Sequence, residues 1–234
     1  GMIGLTRVHV ARAETSAAWS VMEILSQFDL DRLGQDGDDA RSLRAQLQYV
    51  QGDSESALRW ADSFAVPVLG RSLLWLQDPH LAKARILLAR GTGADIQTAL
   101  DILDVLREFA QRTFNVRVQI EVLVLRALAL EMQGKADAAG AALRQALELA
   151  RPGGIIRVFV DLGPPMQTML FRLAGQGFAA KTVRPILAAF TEPQKKIATG
   201  DTGSQSRVAN ARLVEPLTDR ELEVLALLRE RLSN

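Results

Sequence analysis

Apolar residues along this chain recur at helical rather than strand spacing. The clearest case is Ala136 to Ala150, where Ala139, Ala142, Leu143, Ala146, Leu147 and Ala150 fall three and four apart and make a single apolar stripe. Arg151-Pro152-Gly153-Gly154 then supplies a stop. Upstream, Gln133-Gly134-Lys135 breaks the chain after an apolar helix predicted over Val116 to Met132. A three-residue break between two helices makes them pack antiparallel as a hairpin.

The hairpin recurs. Gln51-Gly52-Asp53 separates Ala40-to-Val50 from Ser54-to-Phe64, and Arg90-Gly91-Thr92-Gly93 separates Leu81-to-Ala89 from Ala94-to-Arg112. Gly52, Gly91 and Gly134 lie about 40 residues apart, a period in the range of stacked helix-pair repeats. After each turn a small residue precedes a leucine, as Ala57-Leu58, Ala99-Leu100 and Ala142-Leu143, which lets the second helix approach the first closely. A fainter copy runs through Arg12-Ala13-Glu14 and a helix over Ser16 to Phe28, with Glu14 standing where the other turns have glycine. It reads as the remainder of a longer array.

One stretch carries a competing signal. Val116, Val118, Ile120, Val122 and Val124 alternate with polar residues at period two, as a strand would. The apolar run continues through Leu130, longer than a typical strand, and both flanks are helical, so helix is expected. Beyond Gly154, short apolar pieces over Ile155 to Val160, Met166 to Ala174 and Lys181 to Phe190 are punctuated by Gly163-Pro164-Pro165 and Gly175-Gln176-Gly177, and predict short capping helices. From Thr191 to Glu215 large apolar residues are almost absent, which predicts a flexible linker. The expected class is all-α: antiparallel, TPR-like helix pairs stacked as a superhelix over 1–191, a linker over 192–215, and a separate element over 216–234.

That last element begins Pro216-Leu217-Thr218-Asp219-Arg220-Glu221-Leu222-Glu223-Val224-Leu225. Thr218 and Glu221 form a capping box, each side chain satisfying a backbone N–H at a helix start. The string Leu-Thr-x-Arg-Glu-x-Glu-Val-Leu, followed by Leu227-Leu228 and Leu232-Ser233-Asn234, resembles the opening of the LuxR-type helix-turn-helix domain. The repeat region resembles the large MalT-like members of that family, in particular Ala142 to Leu147, Pro152-Gly153-Gly154, Arg157 to Gly163 and Pro165-Met166. The resemblance covers roughly 41–234, more loosely before Gly134.

It implies a transcription regulator of bacterial cytoplasm with DNA as the partner of the full-length protein. It also implies ATP bound by an N-terminal nucleotide-binding module that is expected outside this chain, helical repeats that sense an inducer or a regulatory protein or self-associate, and a recognition helix expected beyond Asn234. No DNA-contacting residue is therefore nominated within the chain.

Composition narrows the alternatives. Hydrophobic residues make up 48%, enough for a substantial core, and aromatics only 5%, while Ala and Leu dominate and favour helix. With 28 Lys and Arg against 27 Asp and Glu, the net charge of +1 gives no electrostatic footprint for nucleic acid. Without cysteine there are neither disulfides nor thiolate metal sites. The apolar stretch over Val116 to Leu130 is broken by Arg117, Gln119, Glu121 and Arg126, too polar for a membrane span.

Catalytic and metal signatures are weak. Gly91-Thr92-Gly93-Ala94 lacks the length and the Lys-Ser/Thr of a phosphate loop. Asp201-Thr202-Gly203-Ser204 is similar to an aspartic-protease signature but has no second copy to supply the other carboxylate. His9 and His80, the only histidines, read as surface or capping residues, and Trp19, Trp60 and Trp75 as repeat-packing residues rather than a ligand pocket. No nucleophile, base and orienting group can be assembled, so an enzyme is not expected, and neither a cofactor nor a metal is expected in this chain.

What remains is the concave face that first helices form in such a solenoid. Arg44, Gln48, Lys83, Arg117 and Glu121 lie off the apolar stripes of the predicted first helices and are the candidate ligand or partner groove. Two functions fit: a segment that senses an effector and relays its state to a DNA-binding domain, or a constitutive TPR-like scaffold that binds a protein and no small molecule.

Overall fold

The computed structural model describes residues 2–12, 14–65, 79–177 and 180–191, which lie in one compact unit, Gly1–Gln194. The linker and helix-turn-helix expectations for 192–234, with Asp201 to Ser204 and Trp75, lie outside the described residues. Eleven helices and no strand appear among those described: α1 (Met2–Ala11), α2 (Thr15–Leu33), α3 (Asp38–Val50), α4 (Ser54–Ser63), α5 (Pro79–Arg90), α6 (Gly93–Arg112), α7 (Val116–Met132), α8 (Ala136–Ala150), the single turn α9 (Arg157–Val160), α10 (Gly163–Gly175) and α11 (Ala180–Thr191).

Consecutive helices pack as pairs: α1 with α2, α3 with α4, α5 with α6, α7 with α8, and α10 with α11. Between pairs, α3 packs on α5 and α5 on α7, so the first helices form one layer. The fold is all-α, built of TPR-like helix pairs. The period-two pattern of α7 does not produce a strand, because that helix is enclosed on almost every side. Ile120, Val122, Leu123, Val124, Leu125, Ala127, Ala129 and Leu130 are all buried, and an enclosed helix has no polar face to impose a 3.6 period.

The turns share one backbone solution. The N–H of Asp53 donates to the Gln48 carbonyl at 2.9 Å, and that of Lys135 to Leu130 at 2.9 Å, each across a left-handed glycine, Gly52 (φ 91°) and Gly134 (φ 74°). The same five-residue-back bond runs from Glu14 to His9 at 2.9 Å and from Asn115 to Ala110 at 3.0 Å. Glu14 (φ −87°, ψ 67°) therefore matches the capping positions Asp53 (−79°, 67°) and Lys135 (−91°, 62°), not the glycine position expected for it. At the α6–α7 turn the left-handed residue is Phe114, φ 53° and 85% exposed.

Two further expectations change. In α8 the fully buried small residues are Ala139 and Ala146, whereas Ala142 is half-buried. The region after 154 holds a further helix pair rather than caps alone. Gly163-Pro164-Pro165 does not separate elements but opens α10, since proline at the first helical positions forfeits no hydrogen bond. Gly177 (φ 79°) ends that helix at the place where Gly134 ends α7. The extra turn α9 inserts the fully buried Phe159 into the core beneath α10.

Phe114 and Gly134 give opposite expectations for one backbone conformation. A non-glycine residue in the left-handed region costs about 1–2 kcal/mol, partly offset by the entropy of glycine in the unfolded chain, about 0.5–1 kcal/mol. Phe114→Gly is expected to stabilise the protein by roughly 0.5 kcal/mol and Gly134→Ala to destabilise it by about 1 kcal/mol. Urea unfolding of both variants checks the pair; a loss of stability on Phe114→Gly would show that its ring, despite its exposure, contributes packing.

Candidate functional site

Each inner first helix is apolar toward both neighbouring pairs, which confines its polar residues to two narrow seams. On α5, Ala82 and Ile86 pack toward α3 and α4, while Leu81, Ala84, Leu87 and Leu88 join the core shared with α6 and α7. Lys83 and Arg85 occupy the seams between, roughly 200° apart around the helix. Their partners show which way each seam faces. Lys83 Nζ donates to the Phe64 carbonyl at the end of α4, 2.7 Å. Arg85 Nη2 reaches Glu121 Oε2 on α7, 2.8 Å.

The seam that faces the second helices carries a repeating cation. Arg44, Lys83 and Arg126 stand eight residues before Gly52, Gly91 and Gly134, and each ties its first helix to the preceding pair. Arg44 donates to Ser26 on α2 at 2.5 Å and pairs with Asp36, just beyond that helix, at 2.9 Å. Lys83 is held at the end of α4 beside Asp62. Partial burial pulls its ammonium below the ordinary lysine range, against the opposing pull of the Asp62 carboxylate. Arg126 pairs with Asp104 on α6. Gln48, one turn on from Arg44, is half-buried, and its carbonyl accepts the bond that closes the α3–α4 turn.

The other seam faces away from the second helices and holds Arg85, Arg117 and Glu121. Glu121 is buried, yet its carboxylate takes Arg85 on one oxygen and Arg117 Nε on the other, 3.2 Å. Of the five residues singled out in the sequence, then, Arg117 and Glu121 come together. Arg44, Gln48 and Lys83 lie on the opposite seam and are engaged within the repeat stack. Arg85 was missed. Its partner is 36 residues away, a contact no single-helix pattern reports. The cation ladder had a legible signal, the fixed distance to each turn glycine.

The α5–α6 link differs from the other turns. Thr92 caps α6, its Oγ1 accepting from Asp95 N at 3.2 Å and donating to Asp95 Oδ2 at 2.5 Å. Arg90 grips Asp95 through two bonds, 2.7 and 2.5 Å, and Asp62 of α4 through two more, 3.0 and 3.1 Å. Those bonds from Arg90, with help from Thr92, outweigh desolvation and lower the buried Asp95 carboxyl to about 2. Farther along, Arg172 of α10 holds Glu131 of α7 by two bonds, 2.7 and 2.6 Å, which keeps that carboxyl below the usual range.

The aromatic and histidine expectations divide. Trp60 is buried and stacks on Phe64 with centroids 5.3 Å apart, and Trp19 packs against the α1–α3 core. His9, near the end of α1, lies 2.6 Å from Glu14. His80 is not at the surface: it is buried with its ring edge-on to Phe64, 5.8 Å between centroids. Among the described residues no group of three His, Asp or Glu is placed to hold a metal ion, and no helix is long and apolar enough to cross a membrane. A shallow surface cleft of about 30 Å³ lies between α8 and α10.

Stacked antiparallel pairs with a shared layer of first helices, stapled pair to pair, define a TPR-like helical-repeat protein. The family model of the MalT-like TPR region matches residues 1–176. The chain belongs to that family. No curated protein and no solved structure matches it.

The ladder and the Asp95 clamp each carry a measurable expectation. A double-mutant cycle on Arg126 and Asp104 is expected to give a coupling of about 1 kcal/mol, against under about 0.5 kcal/mol for Arg59 and Glu55 within α4. Equal couplings would remove the distinction between inter-pair ties and ordinary surface pairs. For Asp95 the folded pKa lies below the ordinary value of 3.8. Its stabilisation is therefore present above about pH 4 and is lost as pH falls toward 2. Asp95→Asn should lower the melting temperature at pH 7 and flatten its fall over that acid window, as read by circular dichroism.

Proposed function

We propose that this chain is the sensing and assembly segment of a LuxR-type transcription regulator, which relays the binding of an effector or partner to a C-terminal helix-turn-helix. One succession supports the reading: a MalT-like TPR region over 1–176 is followed in the same chain by Leu217-Thr218-Asp219-Arg220-Glu221-Leu222-Glu223-Val224-Leu225. The first belongs to regulators that carry repeats, and the second resembles the opening of their DNA-binding domain. The role of the repeats is non-catalytic, and the protein acts in the bacterial cytoplasm. DNA is the partner of the full-length regulator. ATP enters only through the N-terminal nucleotide-binding module expected of its full-length relatives. A small-molecule inducer, a regulatory protein and a second copy of the chain are the candidate partners of the repeats.

The geometry suits a relay. Each pair contacts chiefly its neighbours, and the neighbours are joined by discrete polar ties, so an altered seam shifts one pair against the next. Such coupling requires a ligand with different affinities for two arrangements. The open face around Arg85, Arg117 and Glu121 is the surface on which a protein partner would bear.

Residues 1–216 joined to a complete LuxR-type helix-turn-helix provide the test. Operator affinity in a mobility-shift titration is expected to change about 5- to 150-fold on adding effector, with metabolites first screened by thermal shift. An affinity that no stabilising ligand alters, together with capture of a protein partner, would support the constitutive scaffold instead.

A further inference from the structure

We infer that the outer face of the α1–α2 pair is a dimer interface, which takes the same face of a second copy of this chain about a two-fold axis. This selects one of the three candidate partners of the repeats and rests on the sensing and assembly reading for its biological meaning. Four large apolar side chains are exposed on this pair, Leu5 and Val8 of α1 and Ile24 and Phe28 of α2. Their places in the repeat show which way they face. Six residues before the capping positions Asp53, Thr92 and Lys135 stand Leu47, Ile86 and Ala129, exposed by only 3%, 2% and 0%. Leu47 and Ile86 are covered there by the preceding pair. Six residues before Glu14, the matching position of the first turn, stands Val8, exposed by 44%. On α2, Val21, Ile24 and Phe28 lie roughly 140–160° around the helix from Ser26, the residue that Arg44 of α3 reaches, so they look toward the same open side as Val8. The first pair thus carries a stacking face like those of α3 and α5, with no described residue over it.

The ladder position decides what can cover that face. Nine residues before a capping position, the first helix meets the place twelve residues after the previous one: Arg44 meets Ser26, and Arg126 meets Asp104. Before α10 the same two places hold Met169 and Leu147, both buried in the shared core. A cation stands opposite an acceptor, and an apolar residue opposite an apolar one. On α1 that place is Leu5. A second helix presenting an acceptor there, as α2, α4 and α6 do, would leave it buried against a leucine, which costs roughly 1–3 kcal/mol. The cover must be apolar, and the outer flank of α1–α2 is itself apolar. The described charges near it, Arg12 after α1 and Asp31 and Arg32 at the end of α2, stand at its ends, as a polar rim does around an interface. Gly4, in the place of Leu43 and Ala82, has nothing within 4 Å of where a Cβ would stand, which leaves room for a helix to approach. Two such faces are self-complementary, and a two-fold axis closes them as a dimer.

Sedimentation velocity of the intact chain, with melting followed by circular dichroism, tests the interface. The chain should sediment as a monomer–dimer equilibrium, and its melting temperature should rise as its concentration is raised about a hundredfold. Val8→Glu and Ile24→Glu each place a charge on the face without removing a buried side chain. Both should weaken dimerisation by about tenfold or more and make melting independent of concentration, yet melt with the parent chain when dilute. Phe171→Glu, at an exposed apolar residue of α10, should leave the dimer intact. A chain that stays monomeric over the whole range would overturn the inference, as would a dimer that Val8→Glu and Ile24→Glu both leave unchanged or that Phe171→Glu dissolves. Assemblies that grow past the dimer would indicate head-to-tail stacking and overturn the two-fold face. Should a glutamate variant melt lower than the parent when dilute, Ile24→Ser takes its place in the same comparison. Effector-dependent operator affinity judges the relay separately, so the two readings fail independently.

Discussion

The inner first helices must bury two faces at once, and most of this architecture follows from that requirement. On α5 one set of side chains belongs to the core of the pair before and another to the core of its own pair. On α3 the same division sends Ala45 one way and Ala40, Leu43 and Leu47 the other. Neither helix could satisfy both faces within an isolated hairpin. Stacking is thus a condition for burial, and the hydrophobic effect, at roughly 25 cal/mol per Å² of apolar surface, acts between pairs as well as within them. The long core running from Leu81 to Ile186 is the result.

That requirement also explains the placement of charge. A helix apolar on two sides has only two strips left for polar groups, and each strip looks toward a neighbour. A cation there can remain solvated or reach across. Arg44, Lys83 and Arg126 reach across to the preceding pair, while Arg85 reaches to the next first helix. Such pairs add little stability individually, but they fix the register of one pair on the next, which apolar contact alone specifies loosely. Glu121 shows the other side of the balance. Its carboxylate is buried, and two guanidiniums compensate the loss of water.

The pair boundaries were legible in the chain because they depend on local chemistry. Gly52, Gly91 and Gly134 adopt the left-handed conformation glycine allows, and α7 and α8 run from Val116 and Ala136 as the pattern predicts. Length and flanking helices correctly outweighed the period-two alternation of α7, whose cause is enclosure on nearly every side. The α10–α11 pair was harder to read, since Gly163-Pro164-Pro165 can be either a break or a helix start, and packing chooses. Candidate polar residues were legible as a set but not as a surface. Whether a residue faces the second helices or the open side depends on its neighbours in space, and Lys83 and Arg85, two positions apart, face opposite ways.

The seam before α10 shows that the tie between pairs can be supplied from another position. The place eight residues before Gly177 is Met169, which is buried, so no cation stands there. The charge that crosses is Arg172, nearly one turn further along α10, and it pairs with Glu131 of α7 rather than with the second helix of the preceding pair. The polar tie has moved from the second helix to the first, while the apolar contact is kept, since Met169 joins the core that α7, α8 and α10 share. A ladder position can therefore be given up to the core where a neighbouring position on the same helix reaches a carboxylate on the preceding pair, and packing decides which of the two carries the charge.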